Sequence, residues 1–346
     1  MEYIRVLVTG AGSGVGQGII KALNISSLPL KIISADISSF NCALYRTNEA
    51  VIIPKVEERN ALKKLIDIIN KNRVNVVLIG SEFDLAFFSD NKEIIETQTD
   101  AVVIASPSKT VKIANDKWLT VEFLRKNYLP YPESYLPINC EEALNVAEDW
   151  GYPFLIKPRF GTSNRHVFII KNYNEMKSIF QRVPKPVMQK IIHMPSSQID
   201  NEYTCSVFKT NDGSILGPFT ARRTLKNGNS WIVEVDYFKT FYPLLLSIGE
   251  KLEITGSLNI QLMLGKNGPV PFEFNARFSG TTAIRAYFGF NEPEMSIRNF
   301  YLKEKLSEVK IAKGLTFRYL EEVFIDDINC VDLIPSSSKG KVIPWF

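Results

Sequence analysis

Histidine is nearly absent: only His166 and His193 occur in 346 residues. A mechanism built on a histidine relay would have to use one of two positions, and neither stands near a nucleophile-elbow motif. Cysteine is scarce and scattered, with Cys42, Cys140, Cys205 and Cys330 forming no CxxC pair. A zinc site needs clustered ligands at short spacing, so none is expected. Separated thiols suit a reducing compartment. No clean apolar run reaches the length of a membrane-spanning helix. The longest early uncharged stretch, Val6 to Ile20, carries five glycines and is not a signal-peptide core. Long basic blocks are missing too. The net charge of +4 comes from Lys and Arg interspersed with Asp and Glu, which argues against a nucleic-acid partner. The expectation is a soluble, cytoplasmic protein with neither membrane nor nucleic-acid partners.

The composition is that of an ordinary globular chain, 45% apolar and 23% charged, long enough for about two domains. The first hundred residues alternate in the α/β manner. Strands are expected at Ile4–Thr9, Lys31–Asp36, Ala50–Ile53, Val74–Ile79 and Ala101–Ala105. Helical patterns lie at Gln17–Leu23 and at Ala61–Asn70, where Leu62, Leu65, Ile66 and Ile69 recur at helical spacing. Short connections between alternating strands and helices imply a parallel sheet covered on both faces. After Ser106 the character changes. One helical stretch runs from about Ser108 to Asn127, and Pro130, Pro132 and Pro137 break up the segment beyond it. From Tyr152 onward strands dominate, with helical patterns at about Asn174–Gln181 and Pro243–Leu252, an α+β arrangement of mostly antiparallel strands. A last strand is expected over Leu315–Ile325, before a polar tail.

Thr9 to Gly16 reads TGAGSGVG between a strand and a helix. Such a loop lets backbone approach an anion at a helix N-terminus, and Asp36 sits where a ribose-binding acid would. This fits a dinucleotide fingerprint like that of the short-chain dehydrogenases. Their Tyr-x-x-x-Lys pair has counterparts in Tyr173/Lys177 and Tyr301/Lys305, but two matches among 13 tyrosines are close to chance, and both lie outside the glycine-loop domain. The plainer reading is a tight strand–helix turn that binds no NAD.

The second half holds a more demanding set. Lys157 ends an apolar strand in FLIKP and would point a fixed cation beyond the strand end. Gly161-Thr162-Ser163-Asn164 comes next, a loop able to fold amides and hydroxyls over phosphates. Gln189 to Ile192 forms a strand edge, and Glu202 lies further on in EYTCSVF. In PFEFNARFSG, Glu273, Asn275 and Arg277 are two apart and share a strand face, with Phe272, Phe274 and Ala276 expected to pack inward. A carboxylate, an amide oxygen and a guanidinium in one row suit Mg²⁺ and a phosphoryl group. Gln261, facing the same way as Asn259, could add an oxygen.

These motifs resemble those of the ATP-grasp enzymes, most similarly the carbamoyl-phosphate-synthetase-like branch. The most specific pieces are NDKW (Asn115–Trp118), FLIKPRFGTSNR (Phe154–Arg165) and PFEFNARFSG (Pro271–Gly280), and the likeness runs from the glycine loop to about Leu302. The resemblance implies a pre-ATP-grasp, Rossmann-like domain over 1–106, an ATP-grasp domain over 107–305 with a lid at about 120–195, and a C-terminal extension over 306–346. It implies ATP and Mg²⁺, with Mn²⁺ as a substitute. Lys117 and Lys157 would contact the phosphates, and Gly161, Thr162 and Ser163 would form the lid loop. Gln189, Lys190, Ile191 and Ile192 would line the adenine pocket, and Glu202 would bind ribose. Gln261, Glu273 and Asn275 would hold metal, and Arg277 would contact the transferred phosphoryl group or the substrate carboxylate.

There are departures from the family's pattern. His166 stands at a lid position usually glycine, Lys190 at one often acidic, and Cys205 and Ser206 where Asp is common. The implied reaction is phosphorylation of a carboxylate by ATP, then attack by an amine to form an amide. It needs positive charge more than acid–base groups, and so is compatible with two histidines. The alternatives are a kinase acting on bicarbonate or carbamate and a nucleotide-binding scaffold. Arg222, Arg223 and Arg285 are candidates for a substrate anion. Ser81, Glu82 and Asp84, at a strand end, are candidates for an amine. A homodimer is compatible with the sequence.

Overall fold

The computed structural model describes residues 3–161, 166–192, 202–326, 334–335 and 339–343. The N-terminal unit comprises β1 (Ile4–Thr9), α1 (Gly14–Asn24), β2 (Leu30–Asp36), β3 (Glu49–Ile52), α2 (Ala61–Lys71), β4 (Val76–Ile79), α3 (Glu82–Gln98) and β5 (Val102–Ile104). Its five strands are parallel in the order β3-β2-β1-β4-β5. Consecutive residues of the central strands are buried by two apolar layers, one on each face. Leu7, Ile33, Val77 and Val103 meet α2 and α3, while Val6, Val8, Val76 and Leu78 meet α1. The helix α3 carries no strong apolar stripe, which is why sequence periodicity did not single it out. Its start is set instead by Ser81, whose hydroxyl accepts from the Phe83 amide, and by Glu82 and Asp84 in the first turn.

Strand order reverses between β1 and β4, so the loops after these two strands open the crevice at the sheet's carboxyl end. The loop after β1 is the glycine loop. Ser13 caps α1 by accepting from the Gly16 amide at 2.9 Å. A side-chain carbon at Gly16 would lie 2.2 Å from the Gly10 carbonyl oxygen, and one at Gly80 would lie 2.4 Å from that of Thr9. The glycines are therefore needed to pack the two loops against each other.

The expected single helix over Ser108–Asn127 is two: α4 (Ser108–Asn115) and α5 (Lys117–Lys126). The break is at Asp116. Its backbone is extended, and its carboxylate accepts from the Trp118 and Leu119 amides, so it caps α5 rather than continuing α4. A smaller antiparallel sheet, in the order β6-β9-β7-β8, comes next. It contains β6 (Ser134–Tyr135), β7 (Phe154–Pro158), β8 (Phe168–Ile170) and β9 (Pro186–Lys190), and is packed by α6 (Cys140–Trp150) and α7 (Tyr173–Ile179).

The largest sheet is antiparallel, in the order β14-β13-β10-β11-β12-β15. Its strands are β10 (Glu202–Lys209), β11 (Ile215–Lys226), β12 (Asn229–Val235), β13 (Gly256–Gly265), β14 (Gly268–Asn275) and β15 (Gly314–Phe317), with α8 (Tyr242–Lys251), α9 (Thr282–Tyr287) and α10 (Glu292–Ser296). The expected strand over Leu315–Ile325 thus shortens to β15. The chain then leaves β12 and reaches the N-terminal unit, where Glu321 pairs with Arg46 at 2.9 Å and the Gly340 amide donates to the Tyr45 carbonyl at 2.8 Å. The two halves also meet through α1. Gly18 lies against Ser279 and Ala283, and Asn291 donates to the Ala22 carbonyl at 2.9 Å. The fold is thus a parallel-sheet unit followed by α+β units of the ATP-grasp type. No helix among the described residues is long and apolar enough to cross a membrane.

Candidate functional site

A cleft of about 650 Å³ lies between the two antiparallel sheets and the glycine-loop end of the N-terminal unit, a size suited to a nucleotide-sized ligand. Lys117, Lys157 and Gly161 line it, as do Gln189, Lys190, Ile191 and Ile192. So do Glu202, Gln261, Glu273, Asn275 and Arg277. Every described residue that the ATP-grasp-like motifs assign to nucleotide, metal or phosphoryl group therefore faces one space. Thr162 and Ser163 lie outside the described residues.

Lys157 is the most constrained of these groups. The apolar alternation of β7 buries Phe154 and Ile156, and the lysine is itself only 6% exposed. Its ammonium donates to Gln189 Oε1 at 2.9 Å and lies 5.8 Å from the centre of the Phe272 ring. Burial, reinforced by the nearby Lys117 charge and opposed by Glu273, pulls its pKa down to about 8. Lys117 opens α5. Its position is fixed because Arg159 clamps Asp116 with Nε 2.8 Å from both carboxylate oxygens, and the Lys117 ammonium reaches the Gly161 carbonyl at 2.6 Å.

Along β14, Glu273 and Asn275 face the cleft, and Arg277 continues the row beyond the strand. Gln261 Nε2 and Asn275 Nδ2 donate to Glu273 Oε1 at 3.1 and 3.2 Å. Phe272 does not pack inward as expected. Gln261 opposes Glu273 and Leu262 opposes Pro271, so Phe272 is the extra residue of a β-bulge and turns into the cleft. Phe274 and Ala276 are buried as expected. Among the described residues no cluster of three or more His, Cys, Asp or Glu side chains could hold a metal. The donor set here is one carboxylate with two amides.

Glu202 forms an ion pair with Arg223, whose Nη2 also donates to Gln261 Oε1 at 3.0 Å. Lys190 pairs with Glu133 at 2.9 Å and lies over Trp150. Arg277 pairs with Glu82 at 2.8 Å, across the boundary with the N-terminal unit. Of the three acids or hydroxyls after β4, only Glu82 lines the cleft. His166 adopts φ +57°, the left-handed conformation that a glycine reaches freely.

Two sequence candidates are corrected. Arg285 is fully buried, paired with Glu292 at 3.2 Å and donating to Asn259 Oδ1 at 2.5 Å. It lies on the same face of the sheet as Gln261, but it is sealed beneath the cleft by its bonds to Asn259, Thr204 and Glu292 and is closed to a substrate. Arg222 pairs with Glu234 at 2.6 Å and does not line the cleft. Ser206 serves the same buried network as Arg285, donating to Glu292 at 2.5 Å. Cys205 is buried and its thiol pushed up to about 12 by burial, so it is unreactive. Asp36 accepts from the Gly12 and Ile37 amides, both at 2.8 Å. The carboxylate that a dinucleotide ribose would need is thus occupied by the loop itself. Arg318, from the chain after β15, lines the cleft and was not anticipated. Its position in sequence, past all the motifs, gave no signal.

Comparison with known proteins agrees with this arrangement. The ATP-grasp domain family matches residues 114–281, and the PylC-like N-terminal domain family matches residues 6–103. The chain is 22% identical over 308 residues to the carbamoyl phosphate synthase large chain of Helicobacter pylori, covering 80% of this chain and 27% of that one. It is 24% identical over 308 residues to the phosphoribosylamine–glycine ligase of Caldanaerobacter subterraneus subsp. tengcongensis, covering 80% of this chain and 69% of that one. The chain thus spans about a quarter of the length of the first relative. Among solved structures, N5-carboxyaminoimidazole synthetase from Staphylococcus aureus complexed with ADP superposes with a TM-score of 0.73 at 14% identity, over 92% of this chain and 83% of that one. Residues 114–281 thus match the ATP-grasp domain family, and the cleft between antiparallel sheets and the shared fold agree with that match.

Proposed function

We propose that the protein is a ligase that phosphorylates a carboxylate with ATP and couples the resulting acyl phosphate to an amine, releasing ADP and phosphate. The observation that carries this reading is the convergence of Lys117, Lys157 and the Gln261–Glu273–Asn275 set in one cleft. Residues 1–106 would then shape the substrate side. Residues 107–305 would hold the nucleotide, with the lid at about 120–195, and 306–346 would form an extension.

ATP would lie with its base by Gln189–Ile192 and its ribose by Glu202. Its phosphates would reach Lys117 and Lys157. The two ammonium groups offset the repulsion between the triphosphate and an approaching carboxylate. Hard oxygen donors at Glu273, Asn275 and Gln261 suit Mg²⁺, and rotating either amide about its last bond presents its oxygen in place of its nitrogen. A single carboxylate makes a weak site alone, which fits a cation that arrives with the triphosphate. When bound, the ion neutralises phosphate charge. Arg277, freed from Glu82, would steady the transferred phosphoryl group or the acceptor carboxylate. Phe272 and the lid loop around Gly161 would keep water from the acyl phosphate.

A second reading, a kinase of bicarbonate or carbamate, is favoured by the likeness to the carbamoyl phosphate synthase large chain. Phosphate release from Mg-ATP, measured with pooled carboxylic acids and amines, decides between these. Stimulated release that falls at least about a hundredfold in Glu273→Ala supports the ligase. Stimulation by bicarbonate without an amine supports the kinase. No stimulation by any pool overturns both.

A further inference from the structure

The cleft's arginines differ in one respect. Arg223 is paired with Glu202 and Arg277 with Glu82. Arg318 has no acidic partner among the described residues. The one hydrogen bond its side chain makes to them runs from Nη2 to the Gly280 carbonyl at 2.7 Å, and burial lowers its pKa with no neighbouring charge contributing. A half-buried guanidinium held by a single carbonyl keeps donors in reserve for an anion, and its planar fork matches a carboxylate.

Its position along the cleft says which anion. Strand β14 runs the length of the site. Its first residue, Gly268, pairs with Gly265, which lies against Ile192 at the proposed adenine end. Glu273 and Asn275 come next, then Arg277, and then Gly280 beside Arg318. Asn229, two residues before the Trp231 that receives the Arg318 amide, also lines the cleft, with Gly14 of α1 against it and Val15 beside. The phosphates and the reacting carboxylate belong beside Lys157 and Glu273. Arg318 lies beyond them, past Arg277.

We propose that Arg318 anchors a carboxylate that does not react, so that at least one of the coupled substrates is an amino acid or a dicarboxylic acid. Its assignment to a substrate rests on the ligase reading. The C-terminal strand is then part of the site: β15 pairs with β12, and the Arg318 amide donates to the Trp231 carbonyl at 2.8 Å, which delivers the side chain to the cleft.

The test is a thermal-shift titration with the non-hydrolysable analogue AMP-PNP and magnesium present. The probes are the proteinogenic amino acids, succinate and glutarate, the methyl esters of those that bind, and glycerol 3-phosphate. Wild type is compared with Arg318→Gln and Arg318→Lys. The expected result is a free acid whose apparent affinity falls about 10- to 100-fold in Arg318→Gln, with partial recovery in Arg318→Lys, and whose ester binds weakly and equally to all three. AMP-PNP affinity stays unchanged in both variants, which also shows that they fold. Equal binding of the acid to wild type and Arg318→Gln overturns the proposal. So does the absence of any acid that binds wild type, an Arg318 requirement shown only by glycerol 3-phosphate, or a parallel loss of AMP-PNP affinity. Arg318-dependent acid binding without stimulated phosphate release would leave the anion site standing and remove the ligase reading alone.

Discussion

Lys157 carries a charge where the fold alone would not place one, and replacing it should make the protein more stable and less able to bind ATP. Its ammonium falls from an ordinary 10.5 to about 8, which corresponds to about 3 kcal/mol of destabilisation at neutral pH. Lys157→Met keeps the length of the chain and removes the charge. It also removes the donor to Gln189 Oε1, which costs about 1 kcal/mol. The net expectation at pH 7 is a gain of about 2 kcal/mol. The sign depends on pH. Because the folded value is depressed, the unfolded chain holds more protons than the folded one between about 8 and 10.5, so wild-type stability rises across that window. The advantage of the variant should shrink above pH 8 and reverse to a deficit of about 1 kcal/mol above pH 10.5, where only the lost hydrogen bond remains. Urea denaturation at pH 7, 8.5 and 10 measures the stabilities, and calorimetry with Mg-ATP should show at least about tenfold weaker binding. A variant less stable than wild type at pH 7, or a difference that does not change with pH, would refute the reasoning. Gain of stability with loss of binding is the mark of a charge kept for a ligand.

Two further outcomes concern buried charges outside the phosphate region. Arg285→Ala leaves Glu292 fully buried without its cation and should cost about 3–5 kcal/mol in urea denaturation; a loss below about 1 kcal/mol would show that the pair is not structural. Asp84 is pushed up to about 6 by burial, then by the negative charges of Asp36 and Glu57. Its folded form holds more protons between about 3.8 and 6, so wild-type stability falls as pH rises through that window. Asp84→Asn should therefore gain about 3 kcal/mol at pH 7 and nothing near pH 3.5, checked by thermal denaturation at both values.

The local elements were legible wherever one physical signal dominated. The strands β1, β2 and β7 were readable from apolar runs bounded by glycine, proline or charge. The helix α2 was readable from its apolar spacing. Legibility failed where a side chain overrode the pattern. Asp116 splits a continuous helical stretch because its carboxylate is pinned by Arg159, a residue more than forty positions away. Phe272 enters the cleft because of a bulge, and the alternation rule assumes none. The helix α3 escaped notice because its boundary is set by a cap and not by a stripe. The arginines were the least legible group. Arg223, Arg285 and Arg318 look alike in a sequence, yet one is paired in the cleft, one is locked in the core and one is left with donors in reserve.

The sequence by itself determined the fold class, the family likeness and the cleft-lining motifs, because strand spacing fixes which residues share a face and because NDKW, FLIKPRFGTSNR and PFEFNARFSG each carry chemistry that is local to a few residues. Tertiary structure alone decided which charges are neutralised and which are available. That outcome depends on partners brought from distant strands: Glu82 to Arg277, Glu292 to Arg285, and Gly280 to Arg318. Periodicity reports which way a side chain points, whereas its charge state and its availability to a ligand are set by what the folded chain places opposite it.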